Sequence, residues 1–273
     1  MEYGLVVVWW LAYVGLALFG LPVAARLCSS LPGRGAGFSL GLAFTVVTMV
    51  AFWVGHLALG WVALLAGLAA LSVCAVLAVR AGVDIDRRAA AEVLVVFTVV
   101  YLFVLVVRSV DPGITPQGEK FLDFGLMVSL YRGASLPLED FWFAGEPMIY
   151  YYGGHFLASL LTRLTGTHPW YGFNLAMAGF FGSLATGAYE LAGAVAVSRQ
   201  SNETKRSHTR LLSGVTALFF TMWASTLSTI VRMIVRRLPE IIREEAVRAL
   251  ASVHWSLTAE EILSPVLEGD YQF

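Results

Sequence analysis

The chain has 273 residues, 58% of them hydrophobic and only 14% charged, with a formal net charge of −1. A soluble globular domain carries about 25% charged residues, so the depletion and the long apolar runs mark an integral membrane protein. The near-neutral balance and the lack of a basic, aromatic patch speak against a nucleic-acid binder.

A helix rises about 1.5 Å per residue, so about 20 apolar residues cross the hydrocarbon. The first run, 5–27, follows a start with no basic region and is too long and aromatic for a cleaved signal, so it reads as a retained helix. The stretch 28–37 (CSSLPGRGAG) is a loop on its glycines and prolines. Residues 38–80 are too many for one crossing and divide near Gly55–His56 and Gly60–Trp61 into spans 38–56 and 60–79. A fourth span covers 91–107. Cys28 and Cys74 lie in or beside these runs with no CxxC or paired Cys/His spacing, which makes them apolar filler.

Arginine sets the orientation. Arg26 and Arg34 flank the first loop, and Arg80, Arg87 and Arg88 precede the fourth span. Both loops fall on one side, the cytoplasm, so the fourth span delivers the next segment to the outer face. That segment holds Asp111, Glu119, Asp123, Glu139, Asp140 and Glu146 against Lys120 and Arg132. Apolar sequence resumes over 149–164, breaks at TGTHP (165–169), continues over 171–197, and after a polar linker runs through 211–230. The expectation is two crossings joined by a tight hairpin at TGTHP. It conflicts with the arginine rule, because it leaves Arg199, Lys205, Arg206 and Arg210 outside. The alternative is that 149–164 dips in without crossing, which requires a wall of protein around it. Past 232 the chain becomes charged and amphipathic, with Ile241, Ile242, Ala246, Ala249, Leu250 and Val253 on a broad face of a surface helix. The abrupt end at Phe273 suggests an N-terminal piece of a longer chain.

The fold class expected is thus all-α, a polytopic helical membrane protein with about seven transmembrane helices and a long outer loop containing short amphipathic helices. Residues 1–108 form a four-helix membrane region, 109–149 the acidic and aromatic outer loop, 150–232 further membrane helices, and 233–273 the amphipathic C-terminal segment.

The outer loop holds the chemistry. Asp111-Pro112-Gly113 leaves the fourth span, and an acid there suits a metal, a substrate hydroxyl or a proton, although Asp-Pro-Gly is also an ordinary turn. Glu119 and Asp123 are four apart, so on a helix they share a face, with Lys120 beside them. Such a pair supplies a general base and a metal ligand. The helix should break at Arg132–Gly133. Asp140 and Trp142 belong to a run of acids among large rings, a mix that suits a sugar or polyprenyl headgroup as well as an aromatic belt. Tyr150, Tyr151, Tyr152 and His155 open the next apolar segment, where a histidine is costly unless paired. His56 and Glu190 are further polar groups in or at the ends of apolar runs.

The runs GEKFLDF (118–124) and FWFAGEPMIYYYGGHFLASLLTRLTG (141–166) resemble the YYY-domain membrane proteins of archaea and some bacteria, a domain of unknown function. Glu119, Lys120, Asp123, Asp140, Trp142, Gly145, Tyr150, Tyr151, Tyr152 and Gly154 occupy the family's steps, while Leu122 replaces a methionine and Phe141 a proline. The likeness is specific over 110–175. That family is similar to multi-span glycosyltransferases that use lipid-phosphate-linked sugars. The resemblance therefore implies an enzyme at the outer face of the cell membrane that takes a polyprenyl-phosphate sugar. Asp111, Glu119 and Asp123 are its catalytic candidates. Lys120, Asp140, Trp142, Tyr150, Tyr151, Tyr152 and His155 are its substrate-binding candidates. A divalent cation, Mg2+ or Mn2+, would sit on Asp111 and Asp123. A transporter with Glu190 and His155 along a polar path, or a non-catalytic membrane scaffold, is the alternative.

Overall fold

The structure is a computed structural model that describes residues 3–110, 112–114, 119–198, 203–223 and 239. Two compact units divide the chain, Met1–Leu218 and Phe219–Phe273, and the second is described only over 219–223 and at 239. The amphipathic helix expected past 232 and the end of the 211–230 segment lie outside the described residues.

All regular structure among the described residues is helical. α1 (Tyr3–Leu27), α2 (Ser39–Gly55), α3 (Trp61–Arg80), α4 (Arg87–Val110), α5 (Glu119–Arg132), α6 (Gly153–Leu164), α7 (Pro169–Ser198) and α8 (Glu203–Trp223) follow in order, with a 3-10 turn at Ala36–Phe38 leading into α2. Among the described residues five helical stretches are long and apolar enough to cross a membrane, those carrying α1, α2, α3, α4 and α7. Hydrophobic side chains such as Leu11, Val62, Val99 and Leu184 stand exposed on their outer faces, as hydrocarbon-facing helices require.

The two-crossing expectation for 149–197 does not hold. α6 has 12 residues, about 18 Å of helix against about 30 Å of hydrocarbon. The tyrosines counted toward the span precede the helix, and seven consecutive residues from Phe156 to Thr162 are buried. α6 is walled in by α2, α3, α5 and α7. The protein enclosure that a non-crossing segment needs is therefore present. With α6 removed from the count, Arg26, Arg34, Arg80, Arg87, Arg88, Lys205, Arg206 and Arg210 fall at one end of the bundle. Contacts fix that placement: Arg210 of α8 reaches Glu92 of α4 at 2.7 Å and Glu190 of α7 at 3.1 Å.

Small residues let the helices meet. A Cβ on Gly20 of α1 would stand 2.0 Å from the Ser39 carbonyl oxygen, and one on Gly67 of α3 would stand 2.6 Å from that of Val47, so the backbones touch at both crossings. Where α1, α2, α4 and α7 converge, Tyr13 sits among Trp9, Phe44, Phe97 and Tyr101. Its ring lies against Gly179. The polar tips of these rings are satisfied internally: Tyr13 donates to the Leu175 carbonyl at 3.1 Å and Trp9 to Thr167 Oγ1 at 2.9 Å. In hydrocarbon an unmet donor costs several kcal/mol.

At the end away from the arginines, the turn between α2 and α3 pairs with the chain leaving α5. Leu59 N donates to Ala134 O and Leu136 N to Gly55 O, each at 2.8 Å. These bonds tie α5 and its following loop to the spanning helices.

Candidate functional site

α5 ends at Arg132, at the expected break, and packs chiefly on α6 and α7. Leu126, Met127 and Leu130 are its buried side. Asp123 projects from it toward α6, where Asp123 Oδ1 lies 3.3 Å from His155 Nε2. The side chains are 35% and 20% exposed respectively, so each is reachable from water yet held by protein. Burial pushes the His155 imidazole below its ordinary range, with the Asp123 carboxylate pulling partly the other way. The imidazole is therefore neutral at pH 7. Gly153 and Gly154, one turn or less before His155, are exposed, and a Cβ on either would meet open space.

The remaining sequence candidates take different places. Asp111 lies outside the described residues, and Glu119 is described as the first residue of α5 without its side chain. Lys120 is on α5, one turn before Asp123. Asp140 turns to its own loop: its Oδ1 accepts from Trp142 N at 2.8 Å and Phe143 N at 3.2 Å. Glu139 accepts likewise from Gly145 N at 2.8 Å. These bonds close the turn that carries the aromatics. Phe141 is set against Gly125 of α5, and Trp142 packs on Phe141 with ring centroids 4.6 Å apart. Trp142 is itself mostly exposed, as is Tyr151. Tyr150 stacks on Tyr151 at 4.2 Å, while Tyr150 and Tyr152 also pack against the core. Burial raises the Tyr152 phenol above its ordinary range.

Among the described residues no three His, Cys, Asp or Glu side chains gather as a metal site. Asp123 and His155 supply one carboxylate and one imidazole, short of a full donor set. The arrangement can accept a proton on Asp123 and hold that carboxylate in place through His155.

Two groupings escaped sequence reading. Arg108 of α4 donates from Nε and Nη2 to Asn174 Oδ1 of α7 at 2.9 and 2.7 Å. Asn174 Nδ2 in turn donates to the Pro112 carbonyl at 3.0 Å. A lone asparagine inside an apolar run was the available signal. The second lies at the arginine-rich end. Glu190, its side chain fully buried, is clamped by Arg210, which also binds Glu92. Glu190 and His155 thus sit toward opposite ends of the bundle. Between them α7 buries Phe173, Leu175, Ala176, Ala178 and Ala185, which gives a polar path no support. His56 caps the end of α2, its Nδ1 2.9 Å from the Phe52 carbonyl, and is exposed.

Residues 46–266 match a family described as uncharacterized membrane protein, DUF2298. No curated protein and no solved structure matches the chain.

Proposed function

From the premise that the chain belongs to the DUF2298 family of uncharacterized membrane proteins, we propose that it is a glycosyltransferase-like enzyme. Its substrate would be a polyprenyl-phosphate-linked sugar, and the site the α5–α6 end of the bundle. The observation that carries the reading is the Asp123–His155 pair, 3.3 Å apart and half-buried between α5 and α6. Arginine gathered at the other end supports an outward-facing site in the cell membrane.

In the proposed reaction the acceptor hydroxyl oxygen attacks the anomeric carbon. The bond from that carbon to the phosphate oxygen breaks, and the lipid phosphate leaves with the electron pair. The hydroxyl proton passes to the Asp123 carboxylate, which neutral His155 keeps in position. Lys120, one turn away on α5, would offset charge on the leaving phosphate. The rings of Trp142 and Tyr151 give a sugar exposed apolar faces to lie on.

The test is sugar transfer from a radiolabelled polyprenyl-phosphate donor in membranes carrying the full chain. Asp123→Asn and Asp111→Asn should each lower transfer by about a hundredfold or more, the usual worth of a general base. Transfer unchanged in both variants sinks the assignment.

A further inference from the structure

A cavity of about 300 Å³ opens between α1, α4 and α7 at the same end as Asp123 and His155. Leu5, Val6 and Leu105 line its apolar part; Arg108, Trp170 and Tyr171 line its polar part. On α4, Leu105 is one turn deeper in the bundle than Arg108. The cavity is thus apolar on the hydrocarbon side and cationic toward the surface. Trp170 and Tyr171 are partly exposed there, where a membrane protein places amphipathic rings.

The Arg108 guanidinium is fixed, and no carboxylate among the described residues neutralises it. Asn174 Oδ1 takes both Nε and Nη2, which holds the guanidinium plane while supplying no negative charge. Nη1 makes no hydrogen bond among the described residues, and no described carboxylate pairs with Arg108. Three arginines of the opposite end differ: Arg34 faces Asp84, Arg88 faces Glu92, and Arg210 faces two glutamates. A pre-oriented guanidinium with free donor capacity is built for a phosphoryl oxygen. Val106, Val107, Val7 and Val8 stand exposed on α4 and α1 nearby, so an apolar tail leaving the cavity enters hydrocarbon directly.

We propose that this cavity seats the phosphate of a membrane lipid on Arg108, with the first segment of its tail against Leu5, Val6 and Leu105. The seat adjoins the pair described above: Phe124, next to Asp123 on α5, packs edge-on against Trp170 at 5.5 Å. It deepens the proposed function by placing the donor's phosphate. It rests on that reading only for the lipid being a sugar donor.

Native mass spectrometry of the full chain, released from zwitterionic nanodiscs and titrated with farnesyl phosphate, tests the seat. The wild type should retain farnesyl phosphate in preference to farnesol. Inorganic phosphate should not displace it at equal concentration. Arg108→Gln should weaken retention about tenfold or more, the loss of one charge-assisted contact. Leu105→Trp, which fills the apolar part and leaves the Asn174 tie intact, should weaken it to a similar degree. It decides the matter if Arg108→Gln fails to fold. Retention unchanged in a folded Arg108→Gln, or in Leu105→Trp, overturns the proposal. Equal retention of farnesol reduces the site to an apolar groove, and displacement by equal inorganic phosphate makes it a free-phosphate site; either refutes the lipid seat. The two readings fail separately. Retention sensitive to Arg108 in a chain that transfers no sugar leaves the seat and removes the transferase. Transfer lost in Asp123→Asn with retention insensitive to Arg108 does the reverse.

Discussion

Replacing Arg210 with methionine tests the packing of the arginine-rich end. Arg210 Nη1 is 2.7 Å from Glu92 Oε2 and Nη2 is 3.1 Å from Glu190 Oε2. The two pairs are not equivalent. Glu92 is 25% exposed and can be rehydrated, so losing that contact costs about 0–1 kcal/mol. The Glu190 side chain is 0% exposed, and its Oε1 already lacks a hydrogen-bond partner. Stripping one partner from a buried ion pair costs about 3–5 kcal/mol, because the other charge is left uncompensated. Arg210→Met should therefore destabilise the chain by about 3 kcal/mol or more. Glu190→Gln removes the charge that needs compensation, so adding Arg210→Met to it should cost clearly less. The double-mutant cycle should return a coupling of roughly 2 kcal/mol. Reversible unfolding in mixed micelles titrated with SDS gives the four free energies. Arg210→Met within about 1 kcal/mol of wild type, or a cycle that closes additively, refutes the argument that Glu190 is held as a buried charge.

Two further outcomes are expected. Burial holds the His155 pKa below its unfolded value of about 6.5, so below that pH the unfolded chain binds the extra proton and stability falls as pH falls. The stability difference between wild type and His155→Gln should shift against the wild type between about pH 7 and pH 5.5, and more steeply with Asp123→Asn, which removes the opposing charge. A pH-independent difference contradicts the burial. For topology, in a chain with Cys28 and Cys74 replaced, cysteines at Trp142 and His168, both exposed, should react with an impermeant maleimide from the same side of the membrane. Labelling from opposite sides means that α6 crosses after all.

The spanning helices were legible because length and apolar content suffice to define them, as in 91–107 inside α4. α6 was not. Its composition matches a span, and what separates it is the point at which helix begins: at Gly153, after the tyrosines. Its enclosure depends on α2 and α3, about a hundred residues earlier in the chain. The candidate site was legible only as a set of residue types. Asp123 and His155 each stood out, but their pairing across two helices had no local signature. Asp140 stood out for the same reason and instead closes a turn, since short acids serve loop backbones as readily as substrates. Glu190 was visible as an acid in an apolar run. Its partner Arg210 looked like an ordinary linker charge until α8 was placed against α7. Arg108 and Asn174 went unmarked because a cation at a helix end and one amide in an apolar helix are each common.

The enclosure of α6 also orders the protein's biogenesis. Helices enter the membrane as the ribosome supplies them, and α2 and α3 are in place before α6 is made. α6 is too short to be held as a span, so the whole segment between α4 and α7 must stay on one side of the bilayer. The wall of α6 formed by α7 arises only after α7 has inserted. The enclosure of α6, which carries His155 of the Asp123–His155 contact, is therefore complete only once α7 is present. A chain arrested before α7 would carry Asp123 and His155 on an α6 that lacks one of its walls.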